Sequence, residues 1–183
     1  MYTLFFDGLY RGNENRTGSG YPINIMCYGW VIYEDGKMIA RGHGIYTHRD
    51  AASSNGAEYL ALIEGLGALQ DLRLGRRPVL ICGDAKTVIE QLQGASHVTS
   101  PRIVNLYQQA RKLTKGMGNL HWQWIPRNKN HAADQLTRHA LRQLNAGKTH
   151  IERVSHQFAG FKLIYGLMVS QKSRNWAAGG HLH

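Results

Sequence analysis

Apolar residues in this chain come in two kinds of run, and their order sets the expected architecture. Thr3-Leu4-Phe5-Phe6 is a short apolar and aromatic run that stops at an acid and a glycine, Asp7-Gly8. Such a run suits a strand buried on both faces, as at the centre of an α/β sheet. Ile25–Tyr33 and Met38–Tyr46 read as two further strands, joined by Glu34-Asp35-Gly36-Lys37. Asp-Gly between apolar runs is a hairpin signal, so the first three strands are expected to form an antiparallel meander. Between the first two, Leu9–Pro22 is rich in Gly, Asn, Arg and Ser and reads as a long loop.

The period then changes. Leu62, Leu66 and Leu69 recur at helical spacing within Gly56–Leu72, with Ser53, Ser54 or Asn55 available to cap the start. Val79–Gly83 is a fourth strand, and a short helix over about Lys86–Leu92 follows it. Pro101–Leu113 is another helix, with Pro101 in its first turn and Ser100 as cap. Leu120–Ile125 is the last strand of the sheet, placing Leu120, Trp122 and Trp124 on one face by alternation. A basic turn, Pro126–Lys129, leads to a helix over His131–Leu144, capped by Asn130 or a neighbour. Crossover helices make the later strands parallel to the first, so the sheet is mixed.

Four acids fall near one edge of that sheet: Asp7, Glu58, Asp84 and Asp134. Asp7 and Asp84 each stand where a strand stops, on the side of an α/β sheet where ligands bind. Two carboxylates held close repel unless they share a proton or a cation, and a divalent metal is the simplest reason for the pairing. Each acid also has a plainer reading. Glu58 and Asp134 could be first-turn residues favoured by the helix dipole, and Asp84 could cap the helix after it. Glu58, however, shares a face with the core-facing leucines Leu62 and Leu69. Separate explanations of that kind leave the joint pattern unexplained.

That pattern is DG in the first strand, NGAEYLALIEGL opening the first helix, ICGDAKTVIEQL at the fourth strand, and WIPRNKNHAADQLTRHAL near the end. It resembles the type 1 ribonuclease H family over roughly residues 1–147. The resemblance implies an α/β fold with a five-stranded mixed sheet, strands 4 and 5 parallel to strand 1, and helices on both faces. It implies a hydrolase that cuts the RNA strand of RNA/DNA hybrids through two divalent ions, Mg²⁺ or alternatively Mn²⁺. By this likeness Asp7 is the central acid bridging two metals, with Glu58, Asp84 and Asp134 completing the ligand set. Hard divalent ions prefer oxygen ligands, which such a cluster supplies.

The chain also departs from the family pattern. Many members carry a histidine in a flexible loop before the last acid, but here Pro126-Arg127-Asn128-Lys129 leaves no room for that loop. The compact form of the family, in which an arginine takes the place, is the better match, and Arg127 is the candidate. His131 reads as a surface histidine at a helix start. Arg111, Lys112 and Lys115 are fewer than the basic protrusion some members use as a handle.

Telling RNA from DNA requires sensing the 2′-hydroxyl across a wide minor groove. The resemblance points to Gly8, Ser54 and Asn55 for that contact, and to Asn13 in the loop after Asp7, though cap and turn chemistry explains Asn13 equally well. Lys86 is placed to meet a phosphate or only solvent.

Charge supports a polyanionic partner. The net charge is +10, yet residues 1–100 hold nine Lys/Arg against ten Asp/Glu, whereas residues 101–150 hold nine against Asp134 alone. A one-sided positive field favours nucleic acid, bound in a salt-sensitive way without sequence choice. Cys27 and Cys82 lie inside apolar runs and read as core thiols of a reducing compartment. With no basic-then-apolar leader and no apolar stretch near ~18 residues, the expected location is cytoplasmic, without a membrane span. Residues 148–183 lie outside the resemblance as a C-terminal extension. Within it FAGFKLIYGLMV is apolar enough to pack as a strand or helix, against the domain, a protein partner or a second copy, and Ser173–His183 is expected to be disordered.

Two other functions compete with hybrid cleavage. One is a nuclease of the same fold acting on double-stranded RNA or branched DNA. The other is a basic nucleic-acid-binding module without turnover, against which the presence of all four acids speaks.

Overall fold

The computed structural model of the chain describes residues 1–12, 24–47, 52–146 and 162–164. Asn13, most of the expected loop, and the extension apart from 162–164 lie outside the described residues. Three long strands, β1 (Tyr2–Gly12), β2 (Asn24–Glu34) and β3 (Lys37–Thr47), form the antiparallel meander. Asp35 and Gly36, both at positive φ (47° and 82°), make the two-residue turn between β2 and β3, the backbone that matches strand twist in a tight hairpin. β4 (Val79–Gly83) runs parallel to β1, and β5 (Leu120–Trp124) parallel to β4. The five expected strands are therefore present in the spatial order β5-β4-β1-β2-β3, and a short β6 (Lys162–Ile164) from the extension adds antiparallel to β3.

The largest departure from the expected boundaries is in β1. β1 continues through Leu9–Gly12, which the sequence places in a loop, because Leu9, Tyr10, Arg11 and Gly12 pair with Cys27, Met26, Ile25 and Asn24. A polar composition does not stop a strand whose backbone groups have a partner ladder.

Helices α1 (Ser54–Asp71), α2 (Lys86–Gln93) and α3 (Pro101–Lys115) lie on one side, and α4 (His131–Asn145) on the other. Leu4 and Phe6 of β1 join Leu62, Leu66 and Leu69 of α1 in the main core, all fully buried. Leu9 packs instead with Cys27, Ile45, Ala140 and Leu144 beneath α4. Cys27 and Cys82 are buried free thiols, as expected.

Two glycines let helices settle directly on the sheet. A Cβ on Gly8 would lie 2.2 Å from the Ala57 carbonyl carbon and 2.3 Å from the Glu58 nitrogen. A Cβ on Gly29, opposite Asp7 in the ladder, would lie 2.6 Å from the Ala133 carbonyl oxygen and 2.7 Å from the Thr137 nitrogen. Neither position has room for any side chain. α1 thus crosses β1 at the residue after Asp7, and α4 crosses β2 beside it. Among the described residues, no helix is long and apolar enough to cross a membrane.

Candidate active site

The parallel register pairs Phe6 with Gly83, so the residues that follow, Asp7 and Asp84, come side by side where β4 ends. Glu58 arrives from above on α1, fixed by a 3.0 Å hydrogen bond that the Gly8 N–H donates to its Oε2. Carboxylate oxygens of Asp7, Glu58 and Asp84 lie within 4.8 Å of one another, and no other group of three acids, histidines or cysteines converges in this way among the described residues. The plainer readings of two acids fall away. Glu58 belongs to the second turn of a helix that begins at Ser54, and Ser53 is the residue that caps it, through a 3.0 Å bond from the Gly56 N–H. The Asp84 side chain makes no cap bond to α2, whose N-cap position is Ala85. Its carboxylate accepts from Asn130 Nδ2 at 2.6 Å.

Electrostatics follow from this crowding. Asp7 is 3% exposed. Its carboxyl is pushed up to about 6, by burial first, against a hydrogen bond from Thr137 and with the help of the Asp84 and Asp134 charges. Burial, then the charges of Asp7 and Asp84, hold Glu58 well above the usual carboxylate range despite the Gly8 N–H. A cluster whose carboxyls are raised by burial and by one another's charge suits a hard, oxygen-seeking divalent cation. The donor set therefore fits the metal that the pattern of acids implies.

Asp134 stands apart from those three. It sits in the first turn of α4, as expected, but its two oxygens accept from Arg127 Nη2 at 3.0 Å and Arg138 Nε at 2.6 Å. Partial burial raises its carboxyl, and the bonds from Arg138 and Arg127 outweigh that and hold it below the usual range. Arg127 lies in a single 3-10 turn, Arg127–Lys129, with its side chain 63% exposed. His131 is exposed, in keeping with a surface role.

Of the substrate contacts expected from the sequence, Ser54 and Asn55 are exposed at the start of α1, one turn before Glu58. Gly8 gives its N–H to Glu58, and its lack of a side chain serves the crossing of α1. Lys86 is exposed and pairs with Glu90 at 3.6 Å, one turn along α2.

Three residues that the sequence did not single out hold the site together. Asn130, expected only as a cap, makes no cap bond. It is 1% exposed and donates from Nδ2 to the Phe6 carbonyl at 2.8 Å as well as to Asp84, tying β1, β4 and the start of α4 into one unit. Thr137 Oγ1 lies 3.0 Å from the Asp7 carbonyl oxygen. Arg138 holds Asp134 from one turn along the same helix. The spacing Asn130–Asp134–Arg138 on a single helical face was the signal available.

Known proteins share this fold. The family model described as reverse transcriptase-like matches residues 6–140. The crystal structure of RNase H1 from the halophilic archaeon Halobacterium salinarum superposes with a TM-score of 0.66 at 31% identity, covering 78% of this chain and 98% of that one. LC11-RNase H1, solved in complex with an RNA/DNA hybrid, gives a TM-score of 0.68 at 26% identity, over 79% of this chain and 99% of that one. A bifunctional protein of Mycobacterium tuberculosis is 32% identical over 135 residues, 74% of this chain. The chain spans about a third (34%) of the length of that relative.

Proposed function

The chain belongs to the type 1 ribonuclease H family, and from that premise we propose that it is an endoribonuclease hydrolysing the RNA strand of RNA/DNA hybrids, leaving 5′-phosphate and 3′-hydroxyl ends. The observation that carries the proposal is the convergence of Asp7, Glu58 and Asp84 within 4.8 Å, on residues locked by backbone and Asn130 contacts. The proposed cofactor is a pair of Mg²⁺ or Mn²⁺ ions, which when bound would activate the attacking water and stabilise the leaving 3′ oxygen.

Asp7, buried at the centre, would be shared between the two ions, with Glu58 and Asp84 on either side and Asp134 completing the set from the rim. Because the carboxyls of Asp7 and Glu58 are raised above the ordinary range, cation binding would release protons from them, from Asp7 chiefly below about pH 6. Arg127, exposed beside Asp134, takes the place of the loop histidine that this chain lacks. Ser54 and Asn55, exposed ahead of Glu58, are proposed to face the minor groove, and Asn13 with them. Lys86 is proposed to meet a phosphate. Residues 1–147 form the proposed catalytic domain and 148–183 an appendage, with the pairing of Lys162–Ile164 to β3 supporting attachment at the sheet edge.

Labelled hybrid, RNA duplex and DNA duplex incubated with Mg²⁺ or Mn²⁺ test this reading. The expected result is cleavage of the RNA in the hybrid, abolished in Asp84→Asn while binding survives. Equal cutting of a DNA or RNA duplex would move the substrate assignment elsewhere within the fold. Binding with no cleavage in either metal would make the chain a binding module.

A further inference from the structure

Trp124 is the only Phe, Tyr or Trp that is exposed among the described residues, at 48% of its surface. Alternation puts Trp122 and Trp124 on the same face of β5, yet they part company. Trp122 packs against the core, whereas Trp124, the last residue of the strand, is open to solvent. Its environment is not that of a stray surface residue. The indole N–H donates to the backbone carbonyl of Asp84 at 3.1 Å, the residue whose carboxylate belongs to the acid cluster. The ring is thereby anchored by one edge at the C-terminal ends of the parallel strands β4 and β5, where ligands of an α/β sheet bind. Two exposed cations follow its two anchor points in the chain: Lys86, two residues after Asp84, and Arg127, three residues after Trp124 itself.

We propose that Trp124 is a substrate-contacting residue whose indole face stacks on a nucleotide of the strand adjoining the cut phosphate. An immobilised aromatic face next to cations that meet phosphates is the composition proteins use to hold a nucleic-acid strand without reading its sequence. The N–H bond removes the rotational freedom that an exposed tryptophan would otherwise lose on binding, so the platform is set before the strand arrives. The competing role is internal: the same bond would merely position the Asp84 backbone. The two roles need different parts of the side chain. Stacking needs the ring, and positioning needs the N–H.

The inference rests on the hybrid-nuclease reading for its substrate, and the test keeps the two apart. Binding of a short labelled hybrid, and of its RNA strand alone, is measured over a range of salt in the cleavage-deficient Asp84→Asn chain. The expected result is about ten-fold weaker binding on adding Trp124→Ala, with the slope of log affinity against log salt unchanged because no phosphate contact is lost. Trp124→Phe, which keeps a ring and drops the N–H, is expected to stay within about two-fold. In the chain with Asp84 intact, Trp124→Ala is expected to raise KM rather than lower kcat. Unchanged binding in Trp124→Ala would overturn the proposal. So would a Trp124→Phe variant that loses kcat as severely as the alanine variant with KM unmoved. A chain that binds these strands through Trp124 and cuts none of them would overturn the hybrid-nuclease reading while leaving the stacking role in place.

Discussion

The crowding of carboxylates makes a prediction about stability that does not depend on activity. Asp7→Asn keeps the shape of the side chain and removes its charge. In the folded protein the Asp7 carboxyl is raised from the ordinary 3.8 to about 6. The folded state therefore holds a proton that the unfolded chain releases between those two values, and stability falls as pH rises through that window. A two-unit difference corresponds to about 3 kcal/mol lost above pH 6, an upper figure because the folded state can relax. Glu58 is shifted in the same direction. Asp134 works the opposite way: its carboxyl lies below the ordinary range, so its contribution is lost only as pH falls beneath about 4. Between pH 4 and 7 the first effect governs.

The assay is urea unfolding of chelator-treated protein at pH 4.5 and pH 7, comparing the parent with Asp7→Asn. At pH 7 the variant should be more stable by up to about 3 kcal/mol, a midpoint shift on the order of 1–2 M urea for a domain of this size. At pH 4.5 most of that gain should vanish. Mg²⁺ should then stabilise the parent at pH 7 and leave the variant nearly unmoved. An Asp7→Asn variant no more stable than the parent at pH 7 would refute the reasoning, because the buried Asp7 charge would then carry no penalty for a cation to relieve.

Two further outcomes follow from the packing. Gly8→Ala should unfold at much lower urea, by more than about 2 kcal/mol, because its methyl group would lie 2.2 Å from α1 backbone that cannot yield without moving Glu58; circular dichroism against urea checks it. Asn130→Ala should lower kcat of hybrid cleavage with little change in KM and cost about 1–3 kcal/mol of stability, since it removes a buried amide's bonds to the Phe6 carbonyl and the Asp84 carboxylate; a normal kcat would show that Asp84 needs no such support.

Much of this molecule was legible in its sequence, for a reason that varies by element. The long strands and α1 announce themselves because their apolar positions recur with the period of the element they form, and Asp35-Gly36 fits a turn that needs positive φ at both residues. The acids were legible because each stands at a strand end or near a helix start, places that topology brings together. What could not be read was anything decided by a distant partner. Leu9–Gly12 became strand because β2 was there to pair with it. Asn130 looked like a helix cap, and only the fold shows that its amide reaches Phe6 and Asp84, residues 124 and 46 positions away. The arginines on Asp134 were visible as charges, but the sequence does not say which oxygen each one holds.

Gly29 has a consequence for how this site could change over evolution. Because α4 rests on bare main chain there, the spacing between the helix that bears Asp134 and the strand that bears Asp7 is a hard stop rather than an adjustable cushion. Swapping larger or smaller apolar residues elsewhere cannot tune it. Variation in this site's behaviour would have to come from the rim, from the arginines and the exposed indole, while the floor stays where the missing side chain puts it.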